Sequence, residues 1–195
     1  MSANVSRVFL RERVSGDLVP ADLYDSILEN HLEDHERDWK PLLTAQVGEH
    51  RHWDWRRKME YYSPQLSYQS FALEYCGRTQ GLMIVNTTQR CRIPSQENMH
   101  LVYVEYLESA PWNRGRTPTL KGIGTVLIAA AIQLSRDEGN RGRIGLHSLP
   151  QADTFYRDRC CMTDLGLDVA YSPSFPLRYF EMTDSQAATY LNGSN

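Results

Sequence analysis

Residues Lys121 to Glu138, KGIGTVLIAAAIQLSRDE, constrain this chain more than any other stretch, because a Gly-x-Gly turn opens directly into a strongly apolar-periodic helix. Ile123, Val126, Leu127, Ala130, Ala131 and Leu134 recur at helical spacing, so one face must pack against a second layer. Gly122 and Gly124 clear side chains from the helix start. Unpaired backbone N–H groups and the positive end of the helix dipole favour an anion such as phosphate there. A plain tight turn would leave the same pattern, so the flanking segments have to decide between the two readings.

Upstream, Val5 to Val14 alternates and predicts a strand that ends at Ser15-Gly16-Asp17. Pro20-Ala21-Asp22 predicts a helix start, continuing to about His31 with Leu23, Ile27 and Leu28 buried. The acidic and aromatic segment from Glu29 to Tyr62 predicts one or two helices joined by a turn near Gly48. Ser70–Cys76 and Leu82–Thr87 read as two strands joined through Gly77–Gly81. His100 to Glu108, β-branched and aromatic, reads as the central strand. Downstream come a short strand at Arg143–Ser148, a helix from Gln151 to about Asp164, and strands at Gly166–Tyr171 and Leu177–Met182. A helical turn at Asp184–Leu191 ends the chain. That order is an α/β layer design, a mixed sheet carrying helices.

Composition bounds the partners. A chain of 195 residues with 41% hydrophobic and 23% charged residues is globular and the size of one domain. A net charge of −3 offers no clustered positive field for nucleic acid or an anionic membrane, so neither is expected as a partner. Cys76, Cys91, Cys160 and Cys161 show neither metal-ligand spacing nor a C-x-x-C motif, which implies free thiols in a reducing compartment. The N-terminus lacks a secretory h-region, and no run approaches the ~20 apolar residues of a membrane span. A cytoplasmic protein is the expectation.

Together these pieces resemble the GNAT superfamily of N-acetyltransferases, which bind acetyl-coenzyme A. The resemblance is carried by LESAPWNR (Leu107 to Arg114), by Gly122-Ile123-Gly124, by QADTFYRD (Gln151 to Asp158) and by the hairpin from Phe71 to Thr87; it extends from Phe71 to about Tyr171. It implies a single domain built on a mixed, mostly antiparallel central sheet flanked by helices and splayed at the coenzyme A site. Residues 1–69 would supply the N-terminal strand and acceptor-side helices, and 70–195 the acetyl-CoA-binding core. It also implies that Leu107, Ser109, Thr119, Lys121, Gly122, Ile123, Gly124 and Thr125 bind the cofactor.

The sequence departs from the family at three points. The pattern at the turn is Gln/Arg-x-x-Gly-x-Gly/Ala, and Thr119 stands at its first position, leaving Arg114, Arg116 or Lys121 to supply a cation. The loop Asn113–Leu120 is long, and Arg157–Leu165 intervenes before Gly166-Leu167.

Acetyl transfer needs a neutral amine, a polarised thioester carbonyl and a proton for the departing thiolate. Alkyl amines titrate near ~10.4, so a carboxylate in a partly desolvated cleft, acting directly or through water, is the usual base, and Glu105 on the central strand is the first candidate, ahead of Glu108 and Glu74. Pairing with a surface arginine is the competing role for Glu105. The resemblance places Tyr156 where the family's tyrosine protonates the thiolate; a core aromatic beside Phe155 is the competing role. A backbone N–H near Leu107–Ala110 would polarise the carbonyl.

The segment before the hairpin would form the acceptor wall, with His50, His52, Trp53, Trp55, Arg56 and Tyr61 as substrate contacts, or else a helix with its tryptophans turned inward. His147 could assist as a base or sit as a satisfied core histidine. His31 and His35, at i and i+4, read as a solvated polar face rather than a metal site, and no metal is expected. The leading reading is an acetyl-CoA-dependent N-acetyltransferase that acts on a primary amine of a small molecule or protein by direct attack in a ternary complex. The alternative is a non-catalytic acyl-CoA-binding or regulatory module of the same fold. A homodimer is one assembly the resemblance allows.

Overall fold

The computed structural model describes residues 3–44, 53–114 and 118–193. Strands β1 (Val5–Glu12) and β2 (Leu18–Tyr24) are followed by α1 (Glu29–Asp34), which runs through a π-helical turn (His35–Trp39) into α2 (Lys40–Thr44). Then come α3 (Trp55–Tyr62), β3 (Tyr68–Tyr75), β4 (Arg78–Arg90), β5 (His100–Ser109), the short β6 (Leu120–Lys121) and the long α4 (Ile123–Asp137). The chain closes with β7 (Ile144–Ser148), β8 (Thr163–Asp168), β9 (Leu177–Met182) and α5 (Asp184–Gly193).

The chain divides into two compact units, with β4, β5 and α4 contributing to both: Met1–Ile84 with Tyr106–Leu127, and Val85–Glu105 with Ile128–Asn195. In the first unit the strand order is β6-β1-β2-β3-β4-β5, and the ladders β6–β1, β1–β2 and β2–β3 are antiparallel. Its core gathers Trp39, Trp55, Leu82 and Ile84 from helices and strands, with Ala110 just after β5. In the second unit β5 pairs in parallel with β7, and β7–β9 and β9–β8 are antiparallel. The result is a mixed, mostly antiparallel sheet flanked by helices, as the sequence implied. The β5–β7 ladder joins Val102–Val104 to Ile144–Leu146 and stops there, although β7 runs on to Ser148.

A buried carboxylate fixes the connection after β4. Glu181 of β9, fully buried, accepts hydrogen bonds from Arg92 N (2.6 Å), Ile93 N (3.1 Å), Gln96 Nε2 (2.8 Å) and Tyr179 Oη (3.1 Å). Four donors fill its acceptor sites, which is how a charge is tolerated at such depth.

Three expectations are corrected. The helix from Pro20 is instead strand β2. Proline suits a first helical position, but here it lies opposite Phe9 of β1, while the β2–β3 ladder covers Asp22–Tyr24, so its missing N–H falls outside that ladder. The hairpin connection is the two-residue turn Cys76-Gly77, both at positive φ (51° and 68°), so Arg78–Gly81 belongs to β4. The helix from Gln151 ends at about Cys160; Cys161 at φ 51° reverses the chain, and β8 starts at Thr163 rather than Gly166.

Candidate functional site

The Gly-x-Gly turn forms in the first unit as the sequence requires. Gly122 has φ 99°, a conformation that L side chains avoid, and α4 begins at the next residue with its first intrahelical bond from Val126 N to Gly122 O (2.9 Å). The helix start therefore presents first-turn N–H groups beside a residue with no side chain. Leu120 and Lys121 tie the turn to the sheet through β1, opposite Glu12 and Arg11. Thr119 is held by its backbone, donating to Trp112 O and accepting from Arg13 N, both at 3.1 Å.

Gly81 brings the turn against the end of β5. A Cβ there would lie 2.6 Å from Ile123 Cγ2, 3.0 Å from Leu127 Cδ1 and 3.6 Å from Glu108 O, so only glycine lets β4, β5 and the first turn of α4 meet at this distance. Leu107, Ser109 and the turn thus share one unit, joined through Gly81. Sequence reading placed Gly81 in a hairpin loop, although a glycine inside a strand pattern is itself a sign of close backbone approach. We expect Gly81→Ala to force the helix start outward, at about 1–3 kcal/mol, and to weaken coenzyme binding as well. Chemical denaturation and titration with coenzyme A measure the two effects; an unchanged affinity would disconnect the notch from the cofactor site.

Glu108 is the carboxylate that β5 buries most deeply, at 1% exposure. It accepts from Trp55 Nε1 and from Arg114 Nη2 (2.8 Å), while Arg114 Nε bonds Ser109 O (2.8 Å). Burial pushes its carboxyl up, and Arg114 and the Trp55 indole oppose that rise. Arg114 is therefore engaged by β5 instead of being left for a pyrophosphate. Arg116 lies outside the described residues, and Lys121 is an exposed cation beside the turn. Trp55 is fully buried with its indole on Glu108, so the expectation that it contacts substrate is corrected: it belongs to the core.

Behind this pair lies one buried helix face, His31, His35 and Trp39, all at 0% exposure. His31 Nδ1 accepts the Leu28 N–H at the helix start (3.0 Å), which leaves the proton on Nε2, 3.6 Å from Glu74 Oε2. Neither ring nitrogen of His35 has a hydrogen-bond partner; Nε2 lies 3.9 Å from Glu108 Oε2. Desolvation lowers both histidines from the usual 6.5 to about 4, so both are neutral near pH 7. The expected solvated face is thus an interior one. Among the described residues no group of three or more His, Cys, Asp or Glu is placed to hold a metal.

Trp53 and Tyr106 meet edge to face (5.1 Å), and Lys58 Nζ lies over the Tyr106 ring, 3.2 Å from its centroid. Tyr62 joins them, its hydroxyl 3.4 Å from that of Tyr106, and packs on Tyr68 at 4.6 Å. Tyr62 and Tyr68 also line a cavity of about 370 Å³, bounded further by Ile27, Met59 and Ile84 and by the exposed Asp25. Sequence reasoning named Trp53 as a substrate contact but missed Tyr62, Tyr68, Tyr106 and Asp25. The run Tyr61-Tyr62 followed by Tyr68 in a polar segment was the available signal. His52, expected beside them, lies outside the described residues, as does His50.

Glu105, Tyr156 and His147 belong to the second unit. Glu105 is half-buried on β5. Tyr156 is buried against Phe155 and Phe180, and burial followed by the neighbouring Cys160 pushes its phenol well above the usual value, so it stays protonated. His147 is a satisfied core histidine: Nδ1 pairs with Tyr103 Oη (2.6 Å), Nε2 with Asp168 Oδ2 (3.0 Å), and the ring stacks on Tyr171.

No protein-family model and no curated protein matches the chain. Solved structures do. A protein from Desulfovibrio desulfuricans assigned to the GNAT family of acetyltransferases superposes with a TM-score of 0.57 at 11% identity, over 84% of this chain and 99% of the other. One assigned as an arylalkylamine N-acetyltransferase from the yellow fever mosquito, Aedes aegypti, gives 0.57 at 14% identity over 93% and 95%. A chimeric spermidine N-acetyltransferase from Vibrio cholerae gives 0.55 at 18% over 88% and 98%. With the strand order, the Gly122 turn and the ending β5–β7 ladder, these likenesses establish that the chain has the GNAT acetyltransferase fold.

Proposed function

We propose that the protein is an acetyl-CoA-dependent N-acetyltransferase acting on a primary amine by direct attack in a ternary complex. The observation that carries this reading is the glycine turn that opens α4, pinned through Gly81 against the end of β5. The residues fit the group: a positive-φ glycine and a helix start offer N–H donors to a pyrophosphate, and Lys121 adds an exposed positive charge. Leu107, Ser109, Thr119, Ile123, Gly124 and Thr125 complete the proposed cofactor set. Acetyl-CoA supplies the acyl thioester. Glu105 takes the amine proton and Tyr156 donates one to the thiolate, each as a general catalyst. Two proteins of this fold are named for amine acetylation, of arylalkylamines and of spermidine, which supports an amine acceptor.

The test is thiol release from acetyl-CoA with a panel of amines. Glu105→Gln and Tyr156→Phe are each expected to lower the rate by about 10²–10⁴-fold while leaving coenzyme affinity intact. Gly124→Val is expected to do the reverse, weakening coenzyme binding without unfolding the protein. Unchanged rates in both catalytic variants would remove those roles, and unchanged affinity in Gly124→Val would reduce the turn to a structural one. Thr119, in place of Gln or Arg, favours a second reading, an acyl-CoA-binding module without turnover; binding with no thiol release from any amine would select it.

A further inference from the structure

The cavity lined by Met59 and Tyr62 of α3 carries a chemical bias of its own. Among the described residues that line it, Asp25 is the one with a charged side chain; the others are neutral, with Ser26, Ser63 and Gln69 adding hydrogen-bonding groups. Asp25 is exposed and oriented: its Oδ1 accepts Asn4 N and its Oδ2 accepts Asn4 Nδ2, both at 2.8 Å. Each oxygen retains a further lone pair for an incoming cation. The Tyr62 and Tyr68 rings, in contact with each other at 4.6 Å, give the cavity an aromatic lining that suits an aromatic or ammonium-bearing body. The volume, about 370 Å³, lies at the small end of the ~300–1,000 Å³ range of small-molecule sites. Tyr62 also connects the cavity to β5 through its hydroxyl contact with Tyr106, two residues before Glu108.

We infer that this cavity is the acceptor site and that it selects a small amine that arrives as a cation without a carboxylate or phosphate, the exposed Asp25 favouring the positive charge and the body lying against Tyr62 and Tyr68. Its chemical meaning rests on the acetyltransferase reading, but the binding preference stands on the cavity alone. An anionic group on the ligand would meet Asp25 with no cation among the described lining residues to balance it, a like-charge contact that costs affinity.

Tyramine and tyrosine differ by one carboxylate and serve as the probe pair, with binding followed by calorimetry and, separately, by thiol release from acetyl-CoA. Tyramine is expected to bind at least tenfold more tightly than tyrosine, and Asp25→Asn to weaken tyramine about tenfold. Ser63→Arg, a change at an exposed rim position, should weaken tyramine and narrow the gap to tyrosine. Equal binding of the two probes, or tyramine binding indifferent to both substitutions, overturns the assignment. Coenzyme titration keeps the two readings apart. Acetyl-CoA binding with turnover of other amines but no preference for tyramine rejects the cavity and keeps the enzyme. Selective tyramine binding without acetyl-CoA binding rejects the enzyme and keeps the cavity.

Discussion

Lowering the pH from 6.5 to 4 should destabilise this protein steeply. His31 and His35 titrate near 4 when folded and near 6.5 when unfolded, so between those values the unfolded chain holds up to two more protons and stability rises with pH. Their contribution is complete above about 6.5 and is lost as the pH falls toward 4. At its steepest the slope for two protons approaches ~2.7 kcal/mol per pH unit. Around His35 the charges partly cancel: Lys40 and Arg114 lower it, Asp54 and Glu36 raise it, and desolvation dominates. Asp164 and Asp168, both lowered by arginine partners, act below the ordinary aspartate value of 3.8, outside this window; within it His147, lowered from 6.5 by burial, adds to the slope, while Glu74 and Glu108, raised above 4.5 by burial, oppose it. Urea unfolding at a series of pH values measures the slope. His35→Phe should flatten it by about half and leave stability at pH 7 undiminished, because it removes two unpartnered nitrogens and keeps the edge-on ring contact with Trp39 at 5.4 Å. An unaltered slope in that variant would show that His35 does not titrate between the two states.

Glu108→Ala is expected to cost about 3–5 kcal/mol, a large part of the ~5–15 kcal/mol that holds a domain folded. The loss is not the attraction to Arg114 alone. Removing the carboxylate leaves the Trp55 indole N–H at 0% exposure without its acceptor and takes from Arg114 one of its two partners on β5. Glu108→Gln retains an acceptor for the indole and should lose less than half as much. Thermal unfolding with both variants separates the two cases; equal losses would mean that charge, not the orphaned indole, dominates.

The parts of the fold that periodicity announces were legible: Val5–Glu12, His100–Ser109 and the apolar face of α4 all follow from spacing. What failed were positions where one residue serves two grammars. Pro20 marks a helix start or a strand segment with a spare edge, and only the pairing with Phe9 decides. His31 and His35 carry a polar label, yet Trp39 continues the same face one turn later, and that i, i+4, i+8 series was the available sign of burial. On β5, alternation puts Glu105 and Glu108 on opposite faces. Sequence can list both, but only packing against Trp55 shows which one is enclosed. The glycine turn was readable because its chemistry is local, whereas the Tyr62–Tyr68 cavity joins segments whose meeting depends on β2, the strand that was misread.

The carboxylate of Glu181 has a kinetic consequence. Arg92 and Ile93 lie in a connection outside any strand or helix, where amide hydrogens ordinarily exchange with solvent by small local fluctuations. Both amides donate to a charge buried within β9, so releasing either requires exposing that charge or leaving it short of donors. Their exchange should therefore follow the opening of β9 and not the mobility of their own loop, and this connection should report, in a deuterium-labelling time course, on the integrity of a strand almost ninety residues away along the chain.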